Sequence, residues 1–347
     1  MAQSALNFLR PAGALYGALM STRSALYRTG LLRARRLGVP VICIGNLTTG
    51  GTGKSPFVEY VVRILADSGH KPGIASRGYR RRTPASQIVT VSDGAGQIAS
   101  PDEGGDEPVM LARALGRVPV VVCADRHTAG ERLVSQFACD IVVLDDGFQH
   151  LPLHRDLDIV LIDATVDLAA EPLLPAGHRR EPLSALGRAG AIVHTRADGP
   201  CLEANRIVAR RHAPEAREFA ARFTPDHLMA PGGHPMTMDS LAGKRVFALC
   251  GLARPEPFLH SLHEAGCEVV AHPCPDHEPY PPDLLQRLAA KAREAKCAFV
   301  VTTAKDAVKL PPDGSPFTMP VLVLRQRVVL DDDEAFRRMV LGTVRHA

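Results

Sequence analysis

The segment GNLTTGGTGKSP at positions 45–56 is the feature that most restricts how this 347-residue chain can fold. It follows an apolar run, VPVICIG at 39–45, which is typical of a buried strand, and it precedes a stretch of helical periodicity at 54–68. Glycines between a strand and a helix let consecutive backbone N–H groups turn inward, and the helix start adds its positive dipole end. The segment therefore predicts a loop that binds nucleotide phosphates.

Two side chains of this loop have chemical roles in such a site. Lys54 would reach the β- and γ-phosphates, and the Ser55 hydroxyl would be a ligand of Mg²⁺. The usual spacing GxxxxGK[ST] has glycine where this chain has Thr48, so a glycine-rich turn with an incidental lysine is the alternative. The predicted nucleotide-binding residues are Thr48, Thr49, Gly50, Gly51, Thr52, Gly53, Lys54 and Ser55.

The rest of the chain alternates short apolar runs with helical segments, which predicts an α/β fold with a P-loop NTPase-like, mostly parallel sheet and helices on both faces. Gly, Pro and polar residues around 230–240 indicate a linker, and the four apolar runs after it indicate a second, smaller α/β domain. The predicted domains are an N-terminal amphipathic helical segment at 1–38, a nucleotide-binding domain at 39–235 and a C-terminal domain at 236–347.

Charge is unevenly distributed along the chain. Forty-one Lys and Arg against 37 Asp and Glu give a net charge of +4, yet residues 1–40 contain six arginines and no Lys, Asp or Glu. The other 307 residues therefore carry a net charge of −2. This balance argues against a dedicated nucleic-acid binder, and no segment indicates an obligate protein partner.

The arginine-rich start also has helical periodicity. Residues 4–28 place most of their apolar side chains on one half of a helix, although Arg23 lies within that half and Pro11 interrupts the first turns. One interpretation is a helix that lies in a membrane interface, with its arginines near anionic headgroups. The other is a terminal helix that packs on its own domain.

Acidic residues at two places would complete a phosphoryl-transfer site. Asp145 and Asp146 follow four apolar residues, as expected of metal-positioning acids at a strand end, although aspartate there is also a common turn former. Asp106 and Glu107 begin an amphipathic helix, where a carboxylate could act as the base of a kinase. Simple capping of that helix is the alternative.

Two other classes of phosphate-loop protein lose support. A GTPase should carry an [NT]KxD loop, and the nearest segment, TTAKD at 302–306, has Lys305 and Asp306 adjacent. A partitioning-type ATPase should have a signature lysine where this chain has Thr49.

Seven short motifs, in this order, resemble those of the tetraacyldisaccharide 4′-kinase family of lipid A biosynthesis, from about residue 39 to 310. They are GNLTTGGTGKSP, SRGY (76–79), GDEPVML (105–111), DDGFQH (145–150), LLPAGHRREP (173–182), PDHEPY (275–280) and TTAKDAVKL (302–310).

The resemblance implies transfer of the γ-phosphate of ATP, with Mg²⁺, to the 4′-hydroxyl of a tetraacyldisaccharide 1-phosphate, which gives lipid IVA. It also implies a peripheral enzyme at the cytoplasmic face of the bacterial inner membrane, bound to an anionic surface and to an acylated disaccharide lipid. The alternative class is a membrane-associated P-loop switch ATPase that acts on a protein partner.

Residue by residue, the resemblance implies that Asp106 is the base, that His277 pairs with it and that Lys54 serves catalysis. It implies a metal site of Ser55, Asp145, Asp146 and Gln149. The implied substrate-contacting residues are Arg77, Tyr79, Glu107, Arg126, His150 and Glu181. The motif HRREP contains both Arg179 and Arg180, and either could be its functional arginine.

Overall fold

The strand predicted before the phosphate loop lies in the middle of a parallel sheet. The computed structural model describes residues 9–96, 98–252, 254–275, 278–311 and 313–345. In it, β1 (Val41–Asn46) is buried at every residue. It pairs in parallel with β5 (Ile141–Asp145) on one edge and with β6 (Leu157–Asp163) on the other. A strand enclosed on both edges and both faces must be almost wholly apolar, which explains its sequence.

The first of two compact units comprises Met1–Phe223 and Val328–Ala347. Its described strands follow the order β3–β4–β2–β5–β1–β6–β7–β8, all parallel except β3, which runs antiparallel to β4. The remaining strands of this order are β2 (Pro72–Ser76), β3 (Val89–Asp93), β4 (Pro119–Val122), β7 (Ala191–Thr195) and β8 (Arg217–Met229). The predicted mostly parallel α/β sheet is confirmed.

Helices cover both faces of this sheet. They are α1 (Arg10–Arg28), α2 (Lys54–Asp67), α3 (Pro101–Gly104), α4 (Asp106–Leu115), α5 (Arg126–Phe137), α6 (Leu202–His212) and α10 (Asp333–Arg345). Cys43 of β1 clusters with Ala129 and Leu133 of α5 on one face. Because side chains alternate along a strand, Ile42 and Ile44 point to the opposite face, where α2 packs on β1.

The second unit, Thr224–Arg327, has its own parallel strand order, β11–β10–β12–β13. Its elements are β9 (Pro235–Met236), β10 (Arg245–Cys250), α7 (Glu256–Glu264), β11 (Glu268–Pro273), α8 (Pro282–Glu294), β12 (Phe299–Thr303), α9 (Ala304–Ala307) and β13 (Val321–Leu330). Phe247 of β10 packs with α8, and its neighbour Val246 packs with α7 on the other face. The expected second, smaller α/β domain is present.

The two units differ from the predicted domain boundaries at both ends of the second domain, which begins at Thr224 instead of 236 and ends at Arg327 instead of 347. The sequence placed 236–347 in one domain, whereas residues 328–347 belong to the first unit. The physical reason is Phe336 of α10, which is fully buried with its ring edge-on to Phe57 of α2 and to Phe219 of β8. The second unit is thus an insertion that begins within β8 and ends within β13.

The N-terminal segment forms α1, whose helical part ends at Arg28 as predicted; residues 1–8 lie outside the described part. Its buried side is a stripe at helical spacing that includes Gly13 and Gly17. Leu15 and Leu19, expected on the apolar face, are 66% and 58% exposed. Within the described residues, no helix has both the length and the apolarity to cross a bilayer.

Candidate active site

The predicted phosphate loop lies at the carboxyl end of β1, between Asn46 and the first residue of α2, Lys54. Gly50 and Gly53 have φ angles of +109° and +84°, a region that L side chains rarely adopt. The helix begins without a side-chain cap, so its first N–H groups face the loop opening. Backbone donors and the positive end of α2 therefore converge where an anion could bind.

Contacts from other strands hold this loop from behind. Asn46 donates its side-chain amide to Thr52 Oγ1 at 3.0 Å, and Thr195 Oγ1 donates to the Thr52 carbonyl at 3.0 Å. Arg196 donates to the Gly51 carbonyl at 2.9 Å. The ring of Phe223 occupies the space that a Cβ on Gly53 would need.

The sequence analysis did not identify these supporting residues. The one available signal was the strand ending HTR at 194–196, because the carboxyl ends of neighbouring parallel strands lie at the same edge of a sheet. The position of these residues in the sequence does not show which distant segment they contact.

The two threonines at the start of the loop are tied to the HRREP motif. The Thr49 N–H donates to the His178 carbonyl at 2.7 Å, and Thr49 Oγ1 hydrogen-bonds with His178 Nδ1 at 3.1 Å. Thr48 forms an isolated antiparallel bridge with Arg179. The structure therefore brings the GNLTTGG and HRREP motifs together.

Lys54 is only 9% exposed, and its Nζ lies 3.7 Å from Oδ1 of Asp146. Arg180 Nη1 donates to both carboxylate oxygens of Asp146, at 3.0 and 2.8 Å. Burial raises the pKa of Asp146, but Lys54 and Arg180 outweigh it, so the pKa lies below its ordinary value. Arg179 instead donates to the Leu168 carbonyl. The backbone of Arg179 bridges Thr48, but it is the side chain of Arg180 that reaches the Lys54–Asp146 pair.

Asp145, the last residue of β5, is a buried carboxyl group whose hydrogen-bonding capacity is only partly satisfied. Ser76 Oγ donates to its Oδ2 at 2.9 Å, whereas its buried Oδ1 has no hydrogen-bond partner. Burial, followed by Glu107 and Asp146, raises the pKa of Asp145 to about 7, against the opposing effect of Lys54. A cation here would satisfy the orphaned oxygen and offset the clustered negative charge.

The donor set fits Mg²⁺ on these grounds. Ser55 contributes a buried hydroxyl in the first turn of α2, and Asp145 contributes the orphaned oxygen. The described residues contain no group of three or more His, Cys, Asp or Glu placed to hold a metal ion. Mg²⁺ in phosphoryl-transfer sites is bound by one or two carboxylates together with phosphate oxygens and water, which agrees with this sparse set.

Gln149, expected as a metal ligand, has other partners in the structure. Its amide Nε2 donates to the Asn46 carbonyl and to Glu181 Oε1, both at 3.0 Å. Its Oε1 accepts from Arg180 at 3.4 Å. Glu181 is buried and also accepts from Arg188 at 2.9 Å. These contacts make Gln149 and Glu181 connectors between β1 and the HRREP motif.

The GDEP and SRGY motifs also meet. Asp106 is the first residue of α4 and follows Gly105, whose φ of +90° suits glycine. A Cβ on Gly105 would lie 3.0 Å from the Tyr79 carbonyl, so the two loops are in close contact. Asp106 and Glu107 are half-buried, and the field of Glu107 acts on Asp145.

A buried cation lies among the predicted substrate residues. Arg126 is 7% exposed, donates to the Ala124 carbonyl at 2.8 Å and keeps its Nε without a partner. Burial, followed by nearby Arg77, lowers its pKa, whereas Asp146 and Asp145 act in the opposite direction. Burial, followed by Arg126, lowers the pKa of His150 to about 4, so this imidazole is neutral at physiological pH.

His277 lies outside the described residues. The described residues around it are held within the second unit: Cys274, which precedes the motif, donates its N–H to the Cys250 carbonyl at 2.7 Å. The Tyr280 hydroxyl donates to Asp306 Oδ1 at 3.2 Å. Asp306 is fully buried and also accepts from the Gly251 N–H at 2.9 Å, which explains the aspartate of TTAKD as a structural residue.

A lysine-bearing glycine loop between strand and helix, with an aspartate at the end of a neighbouring parallel strand, defines the phosphate-loop class of nucleotide-binding proteins. Known proteins identify the family within this class. The chain matches the family described as LpxK, tetraacyldisaccharide-1-P 4′-kinase, over residues 5–345. It belongs to that family, which confirms the resemblance seen in the motifs and the prediction that it is a kinase.

Individual relatives cover most of the chain. The tetraacyldisaccharide 4′-kinase of Anaeromyxobacter dehalogenans (strain 2CP-C) is 42% identical over 308 residues, 87% of this chain and 80% of that protein. The enzyme of the same name from Geobacter metallireducens is 40% identical over 303 residues, 86% of each chain. A solved structure, the "apo" form of LpxK from Aquifex aeolicus in complex with ATP, has a TM-score of 0.80 at 30% identity and covers 99% of this chain and 100% of that one.

Proposed function

We propose that this chain transfers the γ-phosphate of ATP to the 4′-hydroxyl of a tetraacyldisaccharide 1-phosphate, which gives lipid IVA. The observation that supports it best is the contact of Lys54 and Arg180 with Asp146 beside the phosphate loop. Two cations on one carboxylate provide positive charge where a triphosphate would lie, and electrostatic stabilisation is the main device of phosphoryl transfer. Family membership supplies the acceptor.

The nucleotide half of the site is Thr48 to Ser55. Backbone N–H groups of the loop would bind the β-phosphate, and Lys54 would exchange Asp146 for the β- and γ-phosphates as ATP enters. Ser55 and Asp145 would hold Mg²⁺, which supplies charge neutralisation of the phosphates when bound. Asp146 would then remain paired with Arg180, and Gln149 would orient that arginine.

Asp106 would accept the proton of the sugar hydroxyl. It is the first residue of α4 and is half-buried, directly after Gly105, which lies against the Tyr79 carbonyl. A base needs only to be within hydrogen-bond reach of the hydroxyl in the bound complex. Such proton transfer raises the reaction rate about 10²–10⁴-fold. The family resemblance assigns His277 of the PDHEPY motif as the partner of this carboxylate.

The remaining predicted residues would bind the acceptor. Arg77 and Arg126 present guanidinium groups, whose planar forks match phosphate oxygens, and Tyr79 is 64% exposed on the loop beside Gly105. Neutral His150 can donate or accept a hydrogen bond there. Glu107 would act through its charge beside Asp145, and Glu181 through its contacts with Gln149 and Arg188.

The protein would work as a peripheral enzyme on the anionic cytoplasmic face of the inner membrane. Supporting this, Leu15, Leu19 and Leu31 are 66%, 58% and 75% exposed, within the same forty residues that carry six arginines. Each basic side chain near an anionic surface contributes up to about 1 kcal/mol. We expect Leu15→Ser with Leu19→Ser to weaken binding to anionic vesicles while leaving ATP binding intact; equal partitioning of both proteins would reject the surface.

ATP consumption with and without the disaccharide acceptor tests the proposed reaction. The kinase account predicts consumption that depends on the acceptor, in a ratio of one ATP per lipid phosphorylated. Rapid hydrolysis that ignores the lipid would contradict it and would favour a switch ATPase.

A further inference from the structure

The inner side of α1 contacts the loops that form the nucleotide site. Its half-buried stripe includes Tyr16 and Arg23, at the spacing of two helical turns. Gly13 and Gly17 let the helix approach segment 173–176 closely: a Cβ on Gly17 would lie 2.6 Å from Leu173 Cδ1. The helix therefore docks on the LLPAGHRREP motif through its backbone as well as its side chains.

Tyr16 reaches the arginine that pairs with Asp146. Its hydroxyl donates to the Arg180 carbonyl at 2.9 Å, while the guanidinium of the same residue binds Asp146. The Arg180 N–H donates to the Leu47 carbonyl at 2.6 Å, so its backbone is held from both sides. Burial, followed by Glu181, raises the pKa of Tyr16, so the hydroxyl remains a donor over the physiological range.

Arg23 and Ser24 make the second connection. Arg23 Nη1 donates to the Gln149 carbonyl at 3.1 Å, and Ser24 Oγ accepts from Arg188 at 3.2 Å. Arg188 also binds Glu181, the acceptor of the Gln149 amide. Tyr16 and Arg23 thus hold the backbones of Arg180, which binds Asp146, and of Gln149, which accepts from the Arg180 guanidinium.

We propose that Tyr16 and Arg23 are positioning residues for the nucleotide site, acting through Arg180 and Gln149. This inference rests on the proposed function. With Arg180 held on Asp146, the charge of that carboxylate is offset, and Lys54 can exchange Asp146 for phosphate. If the hold is lost, Asp146 pairs more strongly with Lys54 and competes with ATP. Helix α1, which carries the exposed leucines, then also supports nucleotide binding.

The test measures nucleotide affinity with a fluorescent ATP analogue in the absence of any lipid or vesicle. A helix that serves only to attach the protein to a membrane would not affect this value. We expect Tyr16→Phe to raise the Kd about three- to tenfold, as expected for loss of one hydrogen bond of ordinary strength. Tyr27→Phe on the same helix keeps the ring that lies 5.7 Å from the Arg23 guanidinium and removes only the hydroxyl, so it should leave the Kd unchanged.

A double-mutant cycle separates positioning from a general loss of structure. In an Arg180→Ala background, Tyr16→Phe should have no further effect on the Kd, because its influence passes through Arg180. Equal effects in both backgrounds, or a wild-type Kd for Tyr16→Phe, would overturn the inference. If Tyr16→Phe lowers Tm to the assay temperature, the cycle is repeated with Arg23→Gln in place of Tyr16→Phe and with Gln149→Ala in place of Arg180→Ala.

The two proposals fail in different ways. Wild-type protein that binds no ATP analogue, or that binds it and phosphorylates no disaccharide lipid, would contradict the proposed function. Wild-type protein that binds and phosphorylates normally, with additive effects throughout the cycle, would contradict only the role of Tyr16 and Arg23.

Discussion

At the scale of single residues, the site combines groups whose positions follow from local sequence with groups that only the fold can bring in. Lys54 and Ser55 follow their glycines, and Asp145 ends an apolar strand, so their neighbourhood is set by strand order. Arg180 reaches Asp146 across 34 positions of sequence. No local pattern distinguishes it from Arg179, which turns to a backbone carbonyl.

Asp145 should make the stability of the nucleotide-free protein depend on pH. Folding raises its pKa from 3.8 to about 7, so the folded protein binds this proton more tightly than the unfolded chain does. The stabilisation is therefore complete below about pH 4 and is lost as pH rises through 7. It amounts to at most about 4 kcal/mol.

Replacing this carboxyl group tests that dependence. Asp145→Asn should be more stable than wild type at pH 8 in the absence of Mg²⁺, with the difference shrinking toward pH 5. Thermal unfolding at several pH values measures it, with Asp67→Asn at the exposed end of α2 as the control. Parallel curves for wild type and Asp145→Asn would contradict the burial argument.

Asp106 provides a second test at this scale. Asp106→Asn keeps the shape of the side chain but cannot accept a proton, so we expect kcat to fall about 10²–10⁴-fold while the Kd for ATP changes little. Asp102→Asn, on the exposed surface of α3, should retain normal turnover. Near-normal kcat in Asp106→Asn would mean that this carboxylate only caps α4.

At the scale of elements, the position of a helix depends on tertiary contacts that the apolar periodicity of its sequence does not specify. The apolar stripe of α10 predicts a packed helix, yet only the structure shows Phe336 between Phe57 and Phe219. In the same way, the predicted apolar face of α1 included Tyr16, which does pack, but it did not include Gly13 and Gly17, which are the buried residues of the helix. A helical wheel cannot show where small residues allow a close approach.

Phe336 should therefore stabilise the nucleotide-binding unit although it lies near the end of the chain. Phe336→Ala removes a fully buried ring that contacts the helix of the phosphate loop, and such truncations cost about 3–5 kcal/mol. Thermal unfolding should show a clear drop in Tm, which saturating ATP partly restores. Arg338→Ala, on the exposed side of α10, is the matched control. Equal values of Tm would contradict this packing.

At the scale of the whole molecule, the sequence was sufficient for the fold class, the phosphate loop and the family. It was insufficient for the way the chain is divided, because the return of residues 328–347 to the first unit depends on tertiary packing. Two supports of the loop, Thr195 and Arg196, were also missed, since they act through single hydrogen bonds across 143 and 145 positions of sequence. Local rules identify elements; pairing between distant segments needs the structure.

The central claim is that the loop 48–55 presents ATP for transfer to a lipid-linked sugar. Incubation with ATP labelled in its γ-phosphate and purified tetraacyldisaccharide 1-phosphate tests it most directly. We predict one labelled phosphate per disaccharide, at the 4′ position, and strong loss of labelling in Lys54→Ala. Label released only as inorganic phosphate, or equal labelling by Lys54→Ala, would contradict the account.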